Sequence, residues 1–149
     1  MIEMSIRGID DVIKILEDVT PRHAQKLIRN TMRGVATEGQ KKIRAKLYAS
    51  VKKREGVLGK SLKVRARRTS EKNQVSFAVY FDSGKGVKND GFYWRFLEHG
   101  TKDIKSGRNF VRAARLELES EVKNIIVGQF AKKLESAIKR ELKKQAASV

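Results

Sequence analysis

Four carboxylates that lie close together in the sequence are the first candidates for chemistry: Asp82, Asp90, Glu98 and Asp103. In a basic protein such a group could hold Mg²⁺ on bound DNA and promote hydrolysis of the phosphate backbone. The restriction-type nuclease core needs a lysine two positions after an acidic residue, but Gly100 holds that position after Glu98. A lysine does follow Asp103 at that spacing, although no strand of the required kind precedes it. A metal-dependent nuclease is therefore the less favoured alternative.

Other residue groups carry weaker signals for catalysis or cofactor binding. Glu98 and His99 would pair a carboxylate with a base, but adjacent side chains on a helix or strand point apart. His23 and His99 have no further ligands at metal-site spacing. The segment from Gly84 to Gly86 lacks the spacing and the hydroxyl residue of a phosphate-binding loop. Cysteine is absent, which excludes disulfides and thiolate chemistry. We therefore predict no enzyme activity, no metal and no cofactor.

The elements that must position these residues begin with a long amphipathic helix from Pro21 to about Ala49. Proline at the first helical position loses no useful N–H, and Thr20 can cap the turn. Apolar residues recur at helical spacing, and basic residues lie mostly on the opposite side. The apolar series is Ala24, Leu27, Ile28, Met32, Val35, Ala36, Ile43 and Leu47, and the basic series is Arg22, Lys26, Arg29, Arg33 and Lys41.

Two strand-like runs follow a polar loop that is predicted over residues 52–59. Residues 61–67 alternate between apolar and basic side chains, and residues 74–81 alternate until the run becomes apolar. An antiparallel hairpin with its turn at residues 70–73 is the economical interpretation. Alternation places one set of basic side chains on a single face, where they are either solvated or presented to a negative partner. This set comprises Lys63, Arg65 and Arg67, with Arg68 next to it.

The segment between the hairpin and the last helix contains a loop and the aromatic centre of the chain. Residues 82–91 have no apolar periodicity and are predicted to form a flexible loop, in which Lys85 and Lys88 are further candidates for contact with DNA or a partner. Residues 92–97 hold four aromatic side chains. Such a run fills a core or an interface more often than it stacks on single-stranded bases.

A second long helix is predicted from about Asn109, the candidate N-cap, to about Lys143, with a frayed tail beyond. Its apolar residues are spaced by four, so the stripe turns by about 40° at each step. We therefore expect the helix to bend or break at Gly128, or its halves to pack on different surfaces, one of them on another subunit. The stripe consists of Phe110, Ala114, Leu118, Val122, Ile126, Phe130, Leu134, Ile138 and Leu142.

The charge is high and unevenly distributed. The chain has 34 Lys and Arg residues against 17 Asp and Glu, a net charge of +17. Residues 22–72 hold 17 basic and three acidic residues, whereas residues 1–21 hold two basic and five acidic residues. A directed basic face can bind nucleic acid or an acidic protein surface, because the Coulomb interaction does not identify the partner. The alternative is a basic surface that serves only solubility.

Length and composition favour one domain, residues 1–149, of the α+β class, in which a small antiparallel β-sheet is packed by two long α-helices. A short strand is expected at residues 4–7 and a short helix at 10–19. No stretch approaches the roughly 18 apolar residues of a membrane span, and no export signal is expected at the N-terminus. We therefore expect no membrane partner.

The second half of the chain holds an aromatic run that includes Trp94 and Phe96 and ends in Glu98-His99-Gly100-Thr101, followed by Arg108-Asn109-Phe110. These motifs resemble the tail-completion family of long-tailed double-stranded DNA bacteriophages and prophages, also described as head–tail joining or minor tail Z-like proteins. That family has an aromatic run ending in Glu-x-Gly-Thr, followed by a loop with Arg-Pro-Phe-Leu-x-x-Ala that opens a long C-terminal helix. Asn109 stands where the family has proline. Residues 56–62 and 6–11 are similar to upstream family motifs. The matching positions are Trp94, Phe96, Glu98, Gly100, Thr101, Arg108, Phe110 and Ala114.

The resemblance implies a structural virion protein rather than an enzyme. It implies a ring, expected to be a hexamer, that is assembled in the host cytoplasm and caps the tail tube at the head–tail interface. Its partners would be the tail tube protein and head connector proteins, with double-stranded DNA passing through the lumen. In the motif we expect Gly100 to adopt a positive φ, Glu98 to accept hydrogen bonds from backbone amides and Phe110 to anchor the helix start. The alternative function is a basic DNA-binding module without enzymatic activity.

Overall fold

The structure is a computed structural model, and it describes residues 2–4, 21–51, 56–71, 74–103 and 107–147. The predicted helix at 10–19, the motif at 6–11 and part of the hairpin turn lie outside these residues. In chain order the elements are β1 (Ile2–Met4), α1 (Pro21–Ser50), α2 (Val57–Ser61), β2 (Leu62–Arg67), β3 (Ser76–Phe81), α3 (Trp94–His99) and α4 (Phe110–Ala147).

The three strands form one antiparallel sheet in the order β1-β3-β2. In the β2–β3 hairpin Leu62 pairs with Phe81 and Arg67 pairs with Ser76, while Ile2 of β1 pairs with Val79. Alternation along β3 directs Phe77, Val79 and Phe81 into the core, where all three are buried. The predicted α+β class, a small antiparallel sheet packed by two long helices, is confirmed.

The two long helices run antiparallel and pack against each other along much of their length. Lys42 near the C-terminal end of α1 forms an ion pair with Glu117 near the start of α4, whereas Lys133 of α4 donates to the backbone carbonyl of Asn30. Between these contacts Gly34 faces Gln129 so closely that a Cβ at residue 34 would clash with the amide. These atoms belong to the end of a flexible side chain that can shift, so the contact does not by itself require glycine at residue 34.

The hydrophobic core lies between the sheet and the two long helices. It combines side chains from α1, α2, β2, β3 and the first two turns of α4, with most of the predicted apolar series of α1 inside it. Within the described residues no helix is long and apolar enough to cross a membrane. The core members include Ile28, Met32, Ala36, Ile43, Leu47, Leu58, Leu62, Phe77, Val79, Phe81, Phe110, Val111 and Ala114.

Some boundaries differ from the sequence-based expectations. The end of the predicted loop at 52–59 belongs to a short helix, α2, whose side chain Leu58 enters the core. The α4 helix continues to Ala147, so the frayed tail expected from about residue 143 is helical through that point. The helix is also continuous through Gly128, where a break was one of two expectations. A strand lies at Ile2–Met4, and residues 5–7 of the strand expected at 4–7 lie outside the described residues.

The stripe on α4 winds around the helix as its spacing requires. Ala114 and Leu118 are buried in the part that lies near the sheet, while Ile126 and Phe130 are half-buried in the part that runs beside the N-terminal half of α1. Both halves of α4 thus lie along α1, and the apolar residues of the first half are buried more deeply than those of the second.

Candidate assembly motif and partner-facing surfaces

The residues of the family-like motif meet where α3 ends and α4 begins. The carboxylate of Glu98, which is only 3% exposed, accepts hydrogen bonds from the first turn of α4. The N–H of Val111 donates to Oε2 and the N–H of Arg112 donates to Oε1, each at 2.9 Å. The first N–H groups of a helix have no partner within the helix, and a negative charge there is favoured by the helix dipole. Glu98 therefore caps α4 from a distance of 13 residues in sequence.

Asn109 takes the predicted N-cap position, directly before α4, through its backbone. Asn109 precedes α4, but it adopts φ 50° and its exposed side-chain amide donates to the carbonyl of Gly107 at 3.4 Å. The backbone carbonyl of Asn109 still accepts the N–H of Ala113 at 2.9 Å. Asparagine tolerates a positive φ, whereas proline is fixed near −65°, so the backbone at Asn109 is one that the proline of the family motif could not adopt.

Backbone hydrogen bonds join the two helices at the same point. The N–H of Arg108 donates to the carbonyl of Leu97 at 2.7 Å, and the N–H of Asn109 donates to the carbonyl of Glu98 at 3.2 Å. Gly107 lies directly against the Glu98 carbonyl, with no room for a Cβ atom. The motif thus consists of one buried carboxylate and several backbone contacts that fix α3 on the start of α4.

Gly100 ends α3 with φ 84° and donates its N–H to the carbonyl of Phe96 at 2.9 Å. The expected positive φ is confirmed, and this conformation favours glycine because it has no Cβ. The following residue, Thr101, is exposed, as is Arg108. These two motif residues therefore lie at the surface, whereas Glu98 is buried.

The aromatic residues of the motif divide into buried and exposed members. Phe110 is 1% exposed and meets Phe81 of the sheet edge to face, with ring centroids 6.2 Å apart. Trp94 is half-buried and stacks on Phe81 at 5.0 Å. Phe110, with Ala114 one turn later, anchors the start of α4 as expected, and Trp94 anchors α3 on the sheet.

Phe96 and Phe92, by contrast, point outward. Phe92 is 62% exposed and Phe96 is 51% exposed, and their rings meet edge to face with centroids 6.5 Å apart. Phe96 is therefore not part of the core, and its place in the shared motif stays a prediction. We call Phe92 and Phe96 the exposed aromatic pair. Of the two environments predicted for the aromatic run, core or interface, the exposure of this pair favours an interface.

The carboxylates considered for metal chemistry are not gathered into a cluster. Glu98 is occupied by the cap of α4, and Asp90 accepts the N–H of Phe92 at 3.0 Å. Across the described ranges, no three residues of the His, Cys, Asp and Glu types are placed to hold a metal ion. His99, the base imagined beside Glu98, is exposed.

The basic residues predicted to face a partner are all exposed. Those on β2 lie on the face of the sheet opposite the core, as alternation predicts. There the guanidinium of Arg65 lies 4.9 Å from the centre of the Tyr80 ring, a cation–π contact. The others lie after β2 or in the loop before α3. The full set is Lys63, Arg65, Arg67, Arg68, Lys85 and Lys88.

A second basic surface lies on the N-terminal half of α1; its residues were placed opposite the apolar face from the sequence, but they were not predicted to face a partner. Four cationic side chains there, separated by four, three and four residues, are all exposed. Two features of the sequence indicate this surface: the helical spacing of the four basic residues and the excess positive charge of residues 22–72. We define the α1 basic stripe as Arg22, Lys26, Arg29 and Arg33.

At the other end of α1 the basic charges are neutralised by α4. Lys42 forms ion pairs with Glu117 at 2.8 Å and with Glu121 at 2.9 Å, and Lys46 contacts Glu117 at 2.8 Å. The hydrogen bond from Lys42, followed by that from Lys46, lowers the pKa of Glu117 from 4.5 to about 2. The same hydrogen bond raises the pKa of Lys42.

We expect the carboxylate of Glu117 to titrate near pH 2 in the native protein and near pH 4.5 in the double variant Lys42→Gln and Lys46→Gln, because both stabilising cations are then lost. Since the folded-state pKa is the lower one, the stabilising effect is present above about pH 4.5 and is lost as the pH falls through about 2. Carboxyl NMR titration measures both values. Lys41→Gln is the matched control, since Lys41 pairs with Glu38 instead; a Glu117 midpoint that is the same in all three proteins would contradict the ion-pair assignment.

Comparison with known proteins adds no relative: no family model matches the sequence, and no match is found among curated proteins or solved structures.

Proposed function

We propose that this chain is a structural assembly protein without enzymatic activity, which forms a ring at the end of a phage or prophage tail tube. Its partners are further copies of itself, in a ring expected to be a hexamer, together with the tail tube protein and head connector proteins. It would be assembled in the host cytoplasm and retained in the virion at the head–tail interface. The exposed aromatic pair, held on a rigid motif, is the observation that carries the proposal.

Two adjacent phenylalanines at a surface are costly unless another molecule covers them. A phenylalanine side chain contributes roughly 1.5–3 kcal/mol when it is fully buried, and aromatic residues are enriched at the buried centres of protein interfaces. Phe92 and Phe96 lie side by side next to the half-buried Trp94, which is stacked on the sheet. The pair is therefore presented by a framework that needs little ordering when it binds, which favours association.

The motif supports a structural rather than a catalytic role through what its polar groups contact. Both oxygens of Glu98 are occupied by N–H groups of α4, so the carboxylate is not available as a base or a metal ligand in this arrangement. Gly100 and Gly107 serve the backbone path. Each of these residues thus fixes the position of α3, and with it the position of Phe96.

The mass of the purified protein in solution tests the proposal. We expect light scattering to give a ring-sized species at about 0.15 M salt that persists at about 1 M salt, because an apolar contact is little affected by screening. Electron microscopy of that species should show closed rings. The double variant Phe92→Ser and Phe96→Ser is expected to be monomeric at about the same protein concentration.

A matched control replaces two apolar residues that are at least as exposed but lie on α4. The double variant Leu116→Ser and Val127→Ser changes side chains that are 59% and 68% exposed, and it should keep the ring. Loss of the ring in this control alone would place the subunit contact on α4 instead. A wild-type monomer at both salt concentrations that binds duplex DNA tightly would favour the alternative function, a basic DNA-binding module.

A further inference from the structure

The α1 basic stripe is a straight line of positive charge on a rigid element. At 100° per residue its four side chains fall within about 60° of the helix circumference, and at 1.5 Å per residue they extend over about 16 Å. All four are exposed, whereas Leu27, Ile28 and Thr31 on the opposite side are buried. Burial of that side fixes the rotation of the helix, so the stripe faces away from the core.

Within the part of the chain that the structure describes, the charge of the stripe has no acidic counterpart. The first acidic residue of α1 is Glu38, and it pairs with Lys41. Among the described residues, none of the four stripe side chains has an acidic partner, in contrast to Lys42 and Lys46 at the other end of the helix. Like charges in a line repel one another, and an anion bound along the stripe would relieve that repulsion.

The chemistry around the stripe indicates which anion. Every exposed residue between 22 and 41 is polar, so this surface lacks the apolar centre on which protein interfaces depend. The exposed aromatic pair supplies such a centre elsewhere. A nucleic acid backbone needs no apolar contact, since its binding derives from neutralised phosphates and released counterions. A B-form major groove, about 12 Å wide, admits a helix, whereas the major groove of an RNA duplex is too narrow.

We infer that the α1 basic stripe binds the phosphate backbone of duplex DNA without reading its sequence. The stripe is better suited to this than the basic residues of β2. There Arg65 is held over the Tyr80 ring, and Arg67 has an interaction within the chain. DNA binding by the stripe does not require a ring, and a monomer would bind in the same way.

The inference gives a quantitative expectation for salt dependence. Four neutralised phosphates predict that the logarithm of the association constant falls with the logarithm of salt concentration with a slope of about −3.6. Affinity should therefore drop by more than about a hundredfold between about 50 and 200 mM salt. Each lost stripe contact should make the slope shallower by about 0.9, irrespective of the DNA sequence.

Fluorescence anisotropy with a labelled mixed-sequence duplex of about two helical turns measures this directly. The stripe variant carries Arg22→Gln, Lys26→Gln, Arg29→Gln and Arg33→Gln, which preserve helix propensity. The matched control removes the same charge from exposed positions of α4. We expect the stripe variant to lose most of the salt slope and at least about thirtyfold in affinity near 100 mM salt, and the control to stay within about threefold of wild type. The control substitutions are Lys123→Gln, Lys132→Gln, Arg140→Gln and Lys143→Gln.

Three results would overturn the inference. Equal losses of DNA affinity in the stripe and control variants would show that binding depends on the net charge of the protein and not on this surface. A larger loss in a variant of the β2 face and the loop, with Lys63→Gln, Arg65→Gln, Lys85→Gln and Lys88→Gln, would place the DNA there. Tighter binding of polyglutamate or of duplex RNA under the same conditions would reassign the stripe to an acidic protein or to RNA. Circular dichroism confirms that each variant is folded, and light scattering of the same samples records the ring separately.

Discussion

Replacing Glu98 with alanine is expected to lower the free energy of unfolding by about 2–4 kcal/mol, because it removes both acceptors that cap α4. The N–H of Val111 is buried, so water cannot fully replace the lost carboxylate. The substitution also removes a negative charge from the positive end of the helix dipole. Urea denaturation followed by circular dichroism measures the change.

Two further variants distinguish the contribution of the capping hydrogen bonds from that of the negative charge. Glu98→Gln keeps one oxygen acceptor but places an amide donor against an N–H donor. Its free energy of unfolding should therefore lie between those of wild type and of Glu98→Ala. Glu119→Ala removes a glutamate that is exposed on α4 and pairs only with Arg115 one turn earlier. It should cost less than about 0.5 kcal/mol. Equal stabilities for the two alanine variants would show that the cap contributes nothing.

Replacing Phe110 with alanine is expected to cost about 3–5 kcal/mol, the range for a large aromatic side chain removed from a packed core. Phe110 is 1% exposed and is among the most deeply buried large side chains of the described residues. The ring fills the junction between α4 and the sheet, where it contacts Phe81. Its loss leaves a cavity at the point from which α4 starts, so thermal and urea unfolding should both shift strongly.

The control for Phe110 is an apolar residue on the solvent side of the same helix. Leu116 is 59% exposed, and Leu116→Ala should change stability by less than about 0.5 kcal/mol. A double-mutant cycle of Phe110→Leu with Phe81→Leu should reveal a coupling of about 0.5–1.5 kcal/mol for the edge-to-face pair. A Phe110→Ala variant as stable as Leu116→Ala would mean that the ring is not packed as described.

The two stability predictions bear on assembly, because Glu98 and Phe110 position the exposed aromatic pair only indirectly. Loosening the α3–α4 junction leaves Phe92 and Phe96 chemically intact but less fixed, and an interface then has to order them when it forms. The substitutions Phe92→Ser and Phe96→Ser should have the opposite effect. They should abolish the oligomeric ring but leave the free energy of unfolding of the subunit nearly unchanged, since both side chains are exposed.

Features that depend on neighbouring residues in the chain were determined by the sequence. The start of α1 agrees with Pro21 at the first helical position, and its length follows from an apolar series at helical spacing. The two faces of β2 follow from strict alternation, and the positive φ of Gly100 agrees with a glycine at the end of an aromatic segment. The winding of the α4 stripe was also predictable, because it is a consequence of helix geometry alone.

Only the tertiary structure decided which groups meet across the chain. Nothing local distinguishes Phe96 from Phe110, yet one is 51% exposed and the other 1%, because burial depends on which side of a helix meets the sheet. The capping of α4 by the side chain of Glu98 instead of that of Asn109 depends on a distance between two helices. Packing also separates the two ends of α1: Glu117 and Glu121 of α4 pair with Lys42 and Lys46, whereas no acidic side chain among the described residues pairs with the α1 basic stripe. The spacing of apolar and basic residues depends only on neighbours in the sequence. Which side chains contact each other depends on distances between helices and strands, and these are defined only once the elements have packed.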